Sequence, residues 1–407
     1  MDCEVAIVGA GAAGIAAARR LKDRGRRIMV LEAMDRVGGR AHTVAVGRLP
    51  LDLGCGWLHS AERNPLARFA EAQGVAIDRS HAAWQDQLRN LGFPAADQRA
   101  AAKAYEELER SLREAPPDSD RAGEGIAPDH PWRPYLDMLS GALNGAELDR
   151  VSAADLLAYD DHASEQNWRL PEGYGSLIAQ AAEGLPLRLG TMVRAIDGRG
   201  ARLRVETNLG AIEAEAVIVA VPTDILARGD IAFAPAIDDH LHAASRLPLG
   251  RVDKLFLAIE DAEAVPPETH LLGNPHSALT GSYYLRPFGR PVIECFFGGI
   301  AARAMEDAGD AGRLAFATEE LSRLLGADFA RRLQPIAGSW WHKEPSIGGA
   351  YSHALPGYAD QRAVLASPPN ERLCFAGEAC SAHDFSTAHG AWASGISAAD
   401  RIEAALR

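Results

Sequence analysis

The stretch EVAIVGAGAAGIAAARRLKDRGRRIMVLEA, residues 4–33, decides the fold. EVAIV is a continuous apolar run, as in a strand buried on both faces. GAGAAG follows, with Gly9, Gly11 and Gly14 set before an Ala-rich helical pattern, and RRIMVLEA supplies a second strand. In such a strand–turn–helix–strand unit Gly9 makes the tight turn. Gly11, with Ala13 just beyond it, lets backbone N–H groups approach a pyrophosphate, and Gly14 lets helix and strand pack closely. Glu32 ends the second strand 18 residues after Gly14 (32 − 14), near the ~20 expected for an acid that binds a ribose hydroxyl. The reading is an α/β fold that holds a dinucleotide.

The next residues narrow the dinucleotide. AMDRVGGRAHTV (33–44) carries a GGR at Gly38, Gly39 and Arg40, which brings more backbone and a guanidinium toward phosphates. An acid followed shortly by GGR resembles the glutathione reductase-type FAD proteins, and more narrowly the flavin-containing amine oxidase family. The resemblance implies a Rossmann-like FAD-binding domain with a second substrate domain of mixed sheet and helices.

Three further segments carry the same resemblance. LDLGCGWLHS (51–60) is similar to the family's run along the flavin. It implies that Gly54 and Gly56 approach the ring, Trp57 packs near it, and His59 reaches the substrate side. AGEACSAHDFSTAHGAWASGISAADRI (376–402) resembles the family's C-terminal signature. There Gly377 and Glu378 would meet the ribityl and phosphate region, and a helix beginning near Ala388 would aim its positive end at the pyrimidine end of the flavin. SWWHKEPSIGGAYSHALPG (339–357) places Tyr351 as one wall of an aromatic cage that orients an amine, with Trp341 beside it. The cysteine that monoamine oxidases join to flavin just before this tyrosine is replaced by Ala350, so FAD is expected to be non-covalent. The second cage aromatic falls near Thr387, leaving Phe385 or Trp392 as substitutes. Val193 joins the expected cofactor-binding set.

RVDKLFLAIE (251–260) adds a charge to an apolar strand. Val252, Lys254, Phe256 and Ala258 share one face, and Asp253, Leu255, Leu257 and Ile259 the other. A lysine there needs a partner, a cavity or a route to water. The resemblance implies a lysine that holds a water against the flavin.

Composition is ordinary for a soluble globular protein. The chain has 407 residues, 47% hydrophobic and 24% charged, with a formal net charge of −13. That balance disfavours nucleic acid and anionic membranes as partners and mildly favours a cationic ligand. Cys3, Cys55, Cys295, Cys374 and Cys380 are scattered, odd in number and lack a CxxC, which fits free thiols in a reducing compartment and argues against a metal site. Residues 4–9 already form a strand, no leader is expected, and no apolar run is long enough to cross a bilayer. The expected location is the cytoplasm, as a monomer or homodimer.

The FAD-binding domain is expected from residues 1–78, 168–245 and 362–407, with the substrate domain filling 79–167 and 246–361. Helical patterns fill the middle, broken by an exposed loop, APPDSDRAGEGIAPDHP. Three strand patterns follow between 250 and 300, and then a helix near 315–325. The implied reaction is oxidation of a neutral amine, with hydride passing from its α-carbon to flavin N5. Imine hydrolysis follows, and O2 reoxidises the flavin, giving H2O2. His59 and the acidic balance lean toward di- or polyamines. Arg63 keeps an L-amino acid oxidase open as a carboxylate clamp. A phytoene desaturase-like enzyme and a non-enzymatic GDP-dissociation-inhibitor-like protein are the remaining readings.

Overall fold

The computed structural model describes residues 2–84 and 91–407. The first strand, Asp2–Val8, is central to an eight-stranded sheet. Its Val5, Ala6, Ile7 and Val8 are buried, as the apolar run requires. Ile28–Leu31 pairs parallel on one side, and Gly210–Val219 on the other. The long strand Gly210–Val219 has a divided partner edge. Residues 210–214 pair antiparallel with Leu203–Thr207, and residues 217–219 pair parallel with Leu373–Phe375. The sheet therefore draws its strands from the beginning, the middle and the end of the chain.

A second sheet has five antiparallel strands in the order Thr269–Leu272, Ser282–Leu285, Val292–Gly298, Val252–Ile259, Leu333–Gly338. One face of it buries Leu255, Leu257, Ile259, Ile293, Cys295 and Phe297 in a core of their own beneath the helix Ile300–Leu325. The opposite face carries Val252, Lys254, Glu294 and Phe296 toward a cavity. Helices Arg133–Asn144 and Ala153–Asp160 supply further wall to the same cavity.

Three expectations about elements are corrected. The helix expected near 315–325 begins at Ile300 and bends at Gly309, where φ is +70°. The glycines at 309 and 312 disguise one long helix as a break. Four strands, not three, lie between 250 and 300. Residues 115–131 are not a wholly exposed loop, because Ala122, Gly123 and Ile126 are buried and residues 122–125 form a short 3-10 turn. Small residues and a lone isoleucine gave no periodic signal.

The two ends of the chain close on each other. Helix Ala12–Asp23 packs along helix Ala388–Ala405 through an alanine-rich face. Gly14 sits against the backbone of Gly9, and Gly395 against that of Ala13, each so closely that a Cβ would overlap a carbonyl oxygen. Gly9 itself has φ +103°, a conformation that side chains resist. Arg20 adds a bidentate contact to Asp400 at 2.7 and 3.0 Å, worth little because both partners are exposed. Gly395→Val should therefore lower stability by about 1–3 kcal/mol through overpacking. Denaturant unfolding checks this, and an unchanged midpoint would show that the helices are free to separate.

Candidate active site

A cavity of about 910 Å³ runs between the two sheets, at the upper end of the roughly 300–1,000 Å³ usual for small-molecule sites. At one end its wall is built from the Gly turn of residues 9–13, Glu32, residues 38–41 and Val193. Helix Ala12–Asp23 starts at Gly11 without a side-chain cap, so its first-turn N–H groups are left for an anionic ligand. A Cβ on Gly11 would meet only the Gly38 oxygen at 4.0 Å, and one on Gly377 would meet nothing within 4 Å. Backbone here is open to the cavity. Glu32 is buried, which raises its pKa, and it accepts from the Ala10 N–H at 2.6 Å and the Met34 N–H at 2.9 Å. This cradle of uncapped N–H groups, open glycine backbone and one acid fits a dinucleotide.

The middle of the wall is held by a buried carboxylate. Glu378 accepts from Arg40 Nη1 at 2.9 Å, the Ser352 hydroxyl at 2.6 Å, and the N–H groups of Ser352 and Ser386 at 3.1 and 3.0 Å. Burial pushes its pKa up, but Arg40, Ser352 and Arg362 together outweigh that and lower it. Arg40 also donates to the Ala350 carbonyl at 2.5 Å. Arg40 and Glu378, expected to address the ligand's phosphates and ribityl, both line the cavity; the Glu378 oxygens are met by protein groups, while Arg40 spends its Nη1 on Glu378 and the Ala350 carbonyl.

The other end has the character of a substrate chamber. Lys254 Nζ lies 2.7 Å from Glu294 Oε1 and donates to the Asp52 carbonyl at 3.1 Å. Trp341 donates its backbone N–H to Asp253 at 3.0 Å and its ring N–H to the Leu53 carbonyl at 3.2 Å. Asp253 is buried, and burial raises its pKa. Tyr351 Oη donates to the Ala142 carbonyl, which fixes its ring in the wall. His59 pairs Nδ1 with Asn167 Oδ1 at 2.7 Å, and burial lowers its pKa to about 4. Trp57 meets Trp84 edge to face at 3.9 Å between ring centroids.

Of the residues singled out by sequence, Gly9, Gly11, Ala13, Glu32, Gly39, Arg40, Gly56, Trp57, His59, Val193, Lys254, Trp341, Tyr351, Gly377, Glu378 and Ala388 all line this one cavity. Gly14 does not; it is a packing residue. Phe385 lines the wall under the Arg362 guanidinium, whereas Trp392 is turned away against Phe69. Thr387 caps the last helix by accepting the Gly390 N–H at 3.0 Å, a task no aromatic side chain performs. Arg63 is outside the wall, in a bidentate pair with Asp384 at 2.8 and 2.6 Å, so it is no free carboxylate clamp.

Sequence reasoning missed several wall residues. Glu294 is the plainest, a lone acid in the apolar run PVIECFFGG, and the logic applied to Lys254 would have found it. Tyr284, His270 and Asp160 also line the chamber. Asp160 accepts from Tyr105 Oη at 2.8 Å, and burial lifts its pKa to about 6. Behind Trp57 and Tyr284 lies Arg169, buried and tied to Asp78 at 2.5 Å, Glu268 at 3.0 Å and Tyr284 Oη at 2.6 Å. Its partners are remote in sequence, so no local pattern announces it. Among the described residues no cluster of His, Cys, Asp and Glu is arranged for a metal ion, and no helix is long and apolar enough to cross a membrane.

Comparison with known proteins agrees with this geometry. The family model described as flavin containing amine oxidoreductase matches residues 12–83 and 65–403. Polyamine oxidase 2 of Arabidopsis thaliana is 29% identical, over 97% of this chain and 87% of that protein. Polyamine oxidase 3 of Oryza sativa subsp. japonica is 29% identical, over 97% and 88%. A putrescine oxidase solved with putrescine bound shares the fold, with a TM-score of 0.82 at 20% identity and 99% coverage of both chains. Turn, acid, cavity and lysine fall together in one chain that belongs to the flavin-containing amine oxidoreductases, a family of enzymes.

Proposed function

We propose that this protein oxidises small di- or polyamines with non-covalently held FAD. One observation carries the reading: a single cavity joins an uncapped glycine turn fit for a dinucleotide to a chamber walled by Lys254, Tyr351 and Trp341. The polyamine oxidases among its relatives support the substrate class.

Gly11, Ala13 and Gly39 would hold the pyrophosphate on backbone N–H groups. Glu32 would take a ribose hydroxyl on its remaining lone pairs. Gly56, Trp57, Gly377 and Ala388 would border the isoalloxazine ring. When bound, the flavin supplies the redox chemistry, accepting hydride from the amine α-carbon and passing electrons to O2 to give H2O2. Tyr351 and Trp341 orient the amine and exclude water from the reacting carbon. Lys254 offers ammonium N–H groups that orient a water. His59 stays neutral near pH 7 and serves as a hydrogen-bonding wall rather than a cation. With Arg63 bound to Asp384, no observation favours an amino acid substrate. The cysteines, scattered and odd in number, suit a reducing compartment, and we place the protein in the cytoplasm.

Putrescine or spermidine in air should give aldehyde and H2O2 in equal amounts; turnover of L-amino acids instead would overturn the substrate class. Because the reacting amine must be neutral, kcat/KM should rise with pH toward the amine's own pKa, near ~10 for an alkylamine. His59 titrates near 4, so His59→Asn should keep the shape of that profile. A new limb between pH 5 and 8 lost in the variant would contradict it. Lys254→Met should fold normally and slow flavin reoxidation by on the order of tenfold or more, as read by stopped flow; unchanged rates would confine Lys254 to packing. Ala350 offers no sulfur, and burial pushes the Cys55 thiol up to about 12, so it is not a reactive thiolate. Acid precipitation should leave all FAD in the supernatant, and a yellow pellet would contradict non-covalent binding.

A further inference from the structure

Lysine is scarce in this chain. Lys22, Lys103, Lys254 and Lys343 are its four lysines among 42 Lys and Arg residues. One of the four stands in the cavity wall. On the five-stranded sheet Lys254 is opposite Phe296, and Glu294 is opposite Phe256. Lys254 and Glu294 are therefore diagonal neighbours on one face, within reach of long side chains. The pair closes at 2.7 Å, and the Asp52 carbonyl takes a second ammonium N–H at 3.1 Å. Gly56 borders the pair: a Cβ there would make ordinary contact with Nζ, at 3.6 Å.

The pairing has a consequence for the ligand. An unpaired ammonium in a poorly solvated wall repels another cation. A diamine keeps a charge on its distal nitrogen after its reacting nitrogen has lost a proton. Aromatic faces are poorly placed to offset that repulsion. The Arg169 guanidinium already lies 5.0 Å from the Trp57 ring centroid and 5.2 Å from that of Tyr284. Glu294 is the carboxylate that the ammonium touches; the buried Asp52 carboxylate also feels the Lys254 charge, but its oxygens are held by the Thr43 hydroxyl and the Tyr174 and Gly175 N–H groups. Resting on the amine-oxidation reading above, we propose that Glu294 is a positioning residue, which neutralises Lys254 and fixes its Nζ so that the cavity admits a cationic amine beside a lysine.

A double-mutant cycle on the FAD-loaded protein tests this, using Glu294→Gln, Glu294→Asp, Lys254→Met and the double variant Lys254→Met/Glu294→Gln. Read from anaerobic flavin reduction, where reoxidation does not enter, Glu294→Gln should raise the Kd for putrescine about tenfold and that for benzylamine far less, while Glu294→Asp recovers most of the loss. The double variant should return the putrescine Kd to within about threefold of the unmodified protein, because the charge to be neutralised has gone. Thermal unfolding supplies a readout independent of turnover. Each single variant should lower Tm more than the double variant does, since removing one partner strands the other. A putrescine Kd still raised in the double variant would mean that Glu294 grips the substrate directly, and would overturn the proposal. Additive Tm losses would also overturn it, by showing no coupling. Failure of the unmodified protein to oxidise any amine would overturn the amine reading itself, a result distinct from the Tm cycle.

Discussion

Glu378 is the interaction on which the cavity depends. One buried carboxylate ties the loop after the last sheet strand to Arg40 near the N-terminus, to Ser352, and to Ser386 before the final helix. Arg40 is 338 residues from Glu378 in sequence, Ser352 is 26 and Ser386 is 8, and all are adjacent in space. A buried charge is tolerable only when its oxygens are satisfied. Here that requirement forces three separate stretches of wall to meet at one point. The Asp155–Arg362 pair, buried at 2.6 and 2.8 Å, braces the same region, with the Arg362 Nη1 donating to Ser352 Oγ at 2.9 Å.

From that junction the cavity extends in two directions with different chemistry. Toward the glycine turn the wall offers backbone N–H groups, with no Cβ at Gly11 or Gly377 to keep a ligand away. Toward the five-stranded sheet it is side chain: aromatic rings, a neutral histidine and the Lys254–Glu294 pair. The sheet makes this division possible. Alternate residues of Val252–Ile259 point into a dry core and into the cavity, so one strand stabilises the fold with Leu255 and Leu257 and furnishes the chamber with Lys254.

Much of the site was legible in the sequence because its signals are local. Gly9, Gly11, Gly14 and Glu32 sit at spacings set by one turn and one strand. Lys254 stood out because a charge in an apolar strand demands a reason. What escaped reading depends on contacts between distant segments. Arg169 reaches Asp78 and Glu268, and Arg63 reaches Asp384, through the tertiary fold alone. Glu294 was readable by the rule used for Lys254, but its meaning required knowing that the two strands are neighbours. The helix Ile300–Leu325 was shortened in the reading because glycine within a helix carries the same signal as a turn.

The central claim, that this cavity brings an amine to a bound flavin, is tested most directly by anaerobic titration. The purified protein, once its flavin spectrum is recorded, is mixed without oxygen with putrescine, spermidine, benzylamine or L-amino acids, and the flavin absorbance is followed. The account predicts that the di- and polyamines bleach the flavin and that admitting air restores it. A flavin that remains fully oxidised with every amine would contradict the account.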